Sequence, residues 1–360
     1  MRTATANLAG VPGILSAEEL AQSAAHVASL QSASGQIPWF PGGHCDPWNH
    51  VEAAMALTVA GYFEGARAAY QWLADQQLGD GSWFNYYQGE SVKDARLDTN
   101  VCAYLATGLY HFVLATNDID FASSMWPHVQ HAIDFVLDRQ MPDGTVRWSL
   151  DSRGRPEAYA LLTGSSSIFH SLRCAIALAQ RLDFATPTWE LAARRLGHAV
   201  AHHPGAFAPK NEFAMDWYYP IFCGALVGDA GERRLADGWE RHVMDGYGVR
   251  CVSTTDWVTA AETAECVLAL DALGLTSSAL DLFALTRRHR RPDGAYWTGL
   301  AYPDEVTFPD RETTSYTAAA VILAADALTS SSGASALFRH GELARPLDLP
   351  EPGCPLVHPL

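Results

Sequence analysis

Helical segments of two kinds alternate along this chain, and the alternation leaves few ways to fold it. Apolar spacing, caps and breakers predict twelve helices, near residues 17–31, 48–60, 63–77, 99–115, 119–139, 166–182, 187–202, 212–226, 231–244, 257–272, 276–289 and 313–329. The odd-numbered ones carry a charged stripe, as in FEGARAAYQWLADQQ, TWELAARRLGHAVAHH and SSALDLFALTRRHRR. The even-numbered ones are apolar almost all round, as in TNVCAYLATGLYHFVLAT, VTAAETAECVLALDAL and TTSYTAAAVILAADAL. A helix that is hydrophobic on every side must be buried on every side, whereas an amphipathic one keeps a face in water. Six buried helices alternating with six half-exposed ones describe a ring inside a ring, joined as hairpins. The expected fold is therefore all-α, an (α/α)6 toroid. It forms one domain over residues 1–335, followed by a Pro-rich tail at 336–360 that lies on the surface.

The junctions between outer and inner helices repeat a pattern. WLADQQLGDGSW ends at Trp83, LQSASGQIPW at Trp39, RQMPDGTVRW at Trp148 and RRPDGAYW at Trp297. Gly takes the positive φ that ends a helix. A Gln side chain both donates and accepts, so it can satisfy freed backbone groups there. The Trp is expected to return over the helix end as an apolar clamp. The unequal spacing of the first three tryptophans disfavours an α-solenoid, whose repeats are more uniform.

Gln76/Gln77 followed by Gly81-Ser82-Trp83, after Trp72-Leu73, resembles the QW repeat of squalene and oxidosqualene cyclases. The resemblance implies the superfamily of terpenoid cyclases and protein prenyltransferases, to which actinobacterial chains labelled prenyltransferase-like are also assigned. It covers most of the chain through hairpin count and marker positions. It implies the toroid and a cyclase-like activity. The family's catalytic Asp-x-Asp-Asp has no counterpart here, Asp118-Ile119-Asp120-Phe121 lacking the last Asp. Asp-Asp-x-x-Asp for a magnesium diphosphate is absent as well.

Composition excludes other classes. The net charge is −16 and no basic patch appears, against a nucleic-acid partner. Arg287-Arg288-His289-Arg290-Arg291 closes an amphipathic helix and is expected to stay in water while complementing the helix C-terminus. Seven unpatterned cysteines fit reduced thiols. The stretch MRTATANLAGVPG has no apolar core of signal-peptide length, and no segment is apolar for the length of a bilayer, so a cytoplasmic protein is expected. His44-Cys45-Asp46 with His50 follows no known zinc spacing, and no phosphate-cradling loop appears, so neither metal nor cofactor is expected.

In the toroid all inner helices start at one mouth. The loops feeding them contain GGHCDPWNHVE, RLDTN, LLTGSSSIFH, NEFAMDWYYP, TTDWVTAAETAE and PDRETTSYT. Convergent polar groups in a concave apolar centre are the default site. Asp46, Asp98, Asp256 and Asp310 stand where N-caps belong, and Ser165-Ser166-Ser167 can cap too. Glu262 and Glu265 share a face of an apolar helix, which calls for an arginine partner such as Arg173 or Arg250, or for a general acid. Pro220 cannot donate to the Asp216 carbonyl, which leaves the chain open beside that carboxylate. The candidate catalytic residues are thus Asp216, Glu262, Glu265, Asp98 and Glu312. The candidate binding residues are Trp39, Asp46, His50, Trp83, His170, Trp217, Tyr218, Tyr219, Trp257, Trp297 and Tyr316.

Two enzymatic readings follow, each with a small-molecule substrate. The first is a cyclase or isomerase of an apolar polyene, with one of Asp216, Glu262 or Glu265 as proton donor and aromatic groups stabilising positive charge. The alternative is a glycoside hydrolase or lyase, with Asp98 or Asp216 as base and Glu262 or Glu312 as acid. A third reading is a non-catalytic scaffold.

Overall fold

The computed structural model describes residues 8–341 and residue 343. Among them are thirteen α-helices. The outer ones are α1 (Ala17–Leu30), α3 (Phe63–Gln76), α6 (Ile119–Leu137), α8 (Pro187–His202), α10 (Gly228–His242) and α12 (Thr276–Leu285). The inner ones are α2 (Pro47–Val59), α4 (Thr99–Ala103) continued by α5 (Leu105–Thr116), α7 (Leu162–Arg181), α9 (Ala214–Phe222), α11 (Ala260–Ala272) and α13 (Ser315–Thr329). Around the centre α2, α4–α5, α7, α9, α11 and α13 each pack on the next, and α13 packs on α2. The ring is closed, and the (α/α)6 toroid expected from the helix alternation is the fold. α2 is buried along nearly its whole length, while α3 buries a single face.

Helix starts follow local chemistry. Ser16 and Glu19 form a capping box on α1. Asp46 caps α2 with Pro47 in the first turn, and Asp98 caps α4. The other expected caps are not caps. Asp256 lies in a turn before the strand 257–259, and Asp310 lies within the strand 306–313. α7 begins at Leu162, so Ser165, Ser166 and Ser167 are buried inside it. The helix expected at 257–272 starts only at Ala260, because Trp257–Thr259 pairs with Trp297–Ala301, which pairs in turn with Val306–Thr313. Short antiparallel ladders also join 86–88 to 91–94, 97–98 to 149–150 and 243–244 to 248–249. All of them lie in loops that lead from an outer helix to an inner one, at the mouth.

The junction motif has one geometry three times and a variant of it at the fourth junction. Gln31 Nε2 donates to the carbonyls of Gly35 and Gly65, Gln77 Nε2 to those of Gly81 and His128, and Gln140 Nε2 to those of Gly144 and Ala192. Each Gln thus ties its own loop to the next outer helix. At the fourth junction Arg290 Nη2 takes that place, donating to the Glu19 carbonyl of α1. The loop after the last outer helix thereby docks on the first. Arg287 also pairs with Glu19, so two members of the basic run, Arg287 and Arg290, help fasten the ring.

The end opposite the mouth is closed by residues that follow α13. Phe338 stacks on Phe222 and His170, with ring centroids 4.4 and 5.0 Å away, and Arg339 pairs with Asp271 at 2.7 Å. Of the expected tail at 336–360, residues 336–341 and 343 therefore belong to this floor, and the remainder lies outside the described residues. No helix among the described residues is long and apolar enough to cross a membrane.

Candidate active site

A cleft of about 410 Å³ opens at the mouth, where the inner helices begin. Asp46, Asp98, Glu262, Glu265, Trp39 and Tyr316 all line it, so six of the sequence candidates converge. Also in its wall are Trp48, Asn49, Asn85, Tyr86, Asp94, Arg96, Asn100, Trp148 and Thr163, which motif reasoning did not single out as site residues.

Two aspartates are built alike. Asp46 accepts the Asn49 backbone N–H on Oδ1 and the Trp39 indole N–H on Oδ2, at 2.9 and 2.5 Å, and Asn49 Nδ2 donates to Oδ2 as well. Asp98 accepts the Asn100 and Val101 N–H groups on Oδ1 and the Trp148 indole N–H on Oδ2, at 2.9, 3.3 and 2.5 Å. Each carboxylate satisfies a helix N-terminus with one oxygen and faces a marker tryptophan with the other. Trp39 and Trp148 therefore hold carboxylates at the cleft, and only Trp83 is the clamp expected of all four. It is buried, and its indole donates to the Leu73 carbonyl at the end of α3. Burial raises the Asp46 carboxyl above the usual range. It raises Asp98 to about 6, against the N–H bonds that favour its charged form.

Across the ring stands α11, three places from α4 in a ring of six. Glu262 lies in its first turn, half-buried, with its carboxylate accepting the Thr259 hydroxyl. One turn deeper, Glu265 accepts the hydroxyls of Tyr218 and Tyr219. Glu52 of α2 accepts from Tyr104 at 3.1 Å. Burial pushes Glu52 and Glu265 well above the usual carboxylate range, helped by repulsion from Glu265 at the first and from Glu262 at the second. The partners of Glu262 and Glu265 are hydroxyls and not the arginines expected. Arg250 reaches the Val243 carbonyl and Arg173 the Leu343 carbonyl. Glu52 was missed, although it is the one carboxylate of an otherwise apolar helix, the same signal that marked Glu265.

The other candidates lie outside the cleft. Asp216 accepts the N–H and hydroxyl of Thr163, which anchors a wall residue, and its proline-orphaned carbonyl is met by Arg234 Nη2 at 2.8 Å. Trp217 is buried and donates to the Arg234 carbonyl, while Tyr218 and Tyr219 lie in the core behind Glu265. His50 is consumed structurally: its Nδ1 accepts from Ile37 N and its Nε2 faces the Ala69 carbonyl. His170 belongs to the floor. Glu312 accepts from Thr298 across the 297–313 hairpin, where Trp297 packs against Arg291 and Trp257 against Phe308. Of the possible metal group, Cys45 pairs its backbone with Tyr87 and His44 packs on Trp39. Among the described residues no set of three or more His, Cys, Asp or Glu is placed to hold a metal.

Solved structures of the same architecture act on sugars. A D-mannose isomerase superposes with a TM-score of 0.68 at 10% identity, over 87% of this chain and 96% of that one. A mannosylglycerate hydrolase of family GH63 from Thermus thermophilus superposes at 0.67 and 13% identity, over 85% and 99%. At such identities they establish the fold alone. No family model matches the sequence. A curated relative carries more. The MMP endo-(1,4)-3-O-methyl-α-D-mannosidase of Mycolicibacterium hassiacum (strain DSM 44199) is 50% identical over 339 residues, 94% of each chain. This overturns the terpenoid-cyclase resemblance and the polyene-cyclase reading, and favours the glycoside-hydrolase alternative. The Gln and Gly of the QW-like pattern dock one hairpin on the next, so the pattern reports a ring and not a chemistry. The chain is an enzyme, and it belongs to the family of that mannosidase.

Proposed function

We propose that this chain hydrolyses internal α-(1→4) bonds in glycans built of 3-O-methyl-D-mannose. The reading rests on the curated relative, and one observation in the site supports it most: Asp98 and Glu262 project from facing inner helices into one cleft. Glycoside hydrolysis needs two carboxyl groups on either side of the scissile bond. Asp98, raised by burial, is the proton donor to the departing sugar oxygen. Glu262 acts on the opposite face of the ring, where water enters. This reverses the roles expected from sequence, because burial raises Asp98 while a ring of donors still orients it. Asp46 binds sugar hydroxyls beside them. The six described free cysteines fit a reducing compartment, and we place the enzyme in the cytoplasm.

The direct test is incubation with α-(1→4)-linked 3-O-methyl-D-mannose oligosaccharides and mass analysis of products. Early release of mid-length fragments is expected. Release of single sugars from one end, or no cleavage at all, would refute the proposal.

The indole of Trp148 tests the acid assignment. Its N–H stabilises the charged form of Asp98, so Trp148→Phe raises that carboxyl further. A general acid works only while protonated, so kcat/KM falls as pH rises through the pKa of the free enzyme. The alkaline limb of the profile is expected near pH 6 in the parent and at higher pH in the variant. A limb that stays in place would show that another group donates the proton.

A further inference from the structure

The cleft is the size of a small-molecule pocket, and an endo-acting enzyme must hold a chain that runs beyond it. The rim carries aromatic surface on two opposite sides. On one side Trp148, in the cleft wall, is stacked on Tyr159 at 5.6 Å and 29°, and Tyr159 is 37% exposed. On the other side is a patch formed by Trp257, Val306 and Phe308, with Val306 59% and Phe308 47% exposed. Phe213, 37% exposed, borders it through the pairing of 213 with 252 and of 250 with 258. The first side precedes α7 and the second precedes α11 and α13. In a ring of six, α7 faces α13.

Trp257 is held in place. A Cβ on Gly299 would come within 1.8 Å of the Trp257 Nε1, so the absent side chain is what lets the indole lie across the neighbouring strand. The indole N–H donates to the Phe308 carbonyl at 3.2 Å, and the two rings pack edge to face at 4.4 Å. Such a ring loses little freedom when something stacks on it. The patch is also continuous with the chemistry. Its strand 257–259 runs directly into the helix turn of Glu262, and the strand 306–313 runs into that of Tyr316, which lines the cleft.

We propose that Trp257 and Phe308 form a distal subsite, on which the substrate chain lays an apolar, O-methylated sugar face after leaving the cleft. The proposal rests on the function proposed above and adds what selects the methylated glycan. A methyl ether replaces a hydroxyl by apolar surface, and burying that surface against an indole is favourable where burying an unpaired hydroxyl is not. Tyr159 is the corresponding surface on the far side, and together they favour cleavage inside a chain.

The test uses the Glu262→Gln chain as a non-cleaving background. Binding is measured by calorimetry against α-(1→4)-linked 3-O-methyl-D-mannose oligosaccharides of increasing length and their unmethylated counterparts. Adding Trp257→Ala is expected to weaken the longest methylated oligosaccharide about ten-fold, the range of a good aromatic anchor. The shortest should be unaffected, and the preference for methylated over unmethylated chains should shrink. Phe308→Ser, at a more exposed position, should move the same quantities in the same direction. Equal weakening at every length, or none at any length, overturns the subsite. If the background binds no such oligosaccharide and the wild-type chain cleaves none, the proposed function itself fails and the subsite with it.

Discussion

Asp98→Asn is expected to lower kcat on a methylmannose oligosaccharide by about a thousand-fold, or about 4 kcal/mol of transition-state stabilisation. Asparagine keeps the size of the side chain and can still accept the two N–H groups at the start of α4, so the helix stays capped. What is lost is the proton for the leaving oxygen, together with the acceptor of the Trp148 indole N–H. An activated aryl glycoside, whose phenolate leaves without a proton, should therefore be turned over by the variant far better than the natural linkage. Glu262→Gln should lose both substrates alike, by a similar factor, because its role on the other face does not depend on the leaving group. If Asp98→Asn keeps full activity while Asp46→Asn loses it, the acid is Asp46 and the facing-helix argument is wrong.

The largest effect on stability is expected at Gly81. Its φ is 90°, which an L side chain rarely adopts. A Cβ there would lie 2.1 Å from the carbonyl oxygen of His131 in α6. The neighbour is backbone, so it cannot swing aside. Gly81→Ala should therefore cost about 3 kcal/mol or more, combining backbone strain with a forced displacement of the hairpin. For a chain of this length that lowers the melting temperature by about 4 °C, read by calorimetry or circular dichroism. Gly79→Ala is the control: it is two residues away and a Cβ there meets nothing within 4 Å. Equal melting of the two variants would remove the docking role assigned to the loop.

How much could be read in advance follows from which signals are local. Helix alternation is local, and α2, α11 and α13 carry it so strongly that the ring could be derived before any coordinates. Asp46 and Asp98 were legible as caps because a cap and its helix are adjacent in sequence. Their second role was not, because the indole that meets Asp98 comes from a loop 50 residues away, brought over by the pairing of 97–98 with 149–150. The strands were missed because most are two to five residues long, too short for a period-two pattern. Tyr86, Asp94 and Arg96 sit in or beside such pieces and so escaped notice as cleft residues. Function was misread for a related reason. The strongest pattern in the chain, Gln with Gly-x-Trp, answers the backbone demands of hairpin docking, which any such ring must meet whatever its substrate.

The fourth junction, where Arg290 holds α1, has a consequence for how the polypeptide could be threaded. Ala9 N donates to Ser331 Oγ at 3.1 Å, so the two ends of the ring are neighbours. The joint that closes the circle is the positional equivalent of the three glutamine joints inside it, so packing does not set the closing point apart from them. Where the chain starts is an accident of connectivity. A circular permutant that keeps the floor residues through 343, joins 343 to 9 through a flexible linker and opens instead at the exposed turn 152–155 is expected to keep the packing of the hairpins and of the floor. A linear repeat array loses an interface when it is cut and re-joined elsewhere. This molecule has none to lose, since its last hairpin already grips its first.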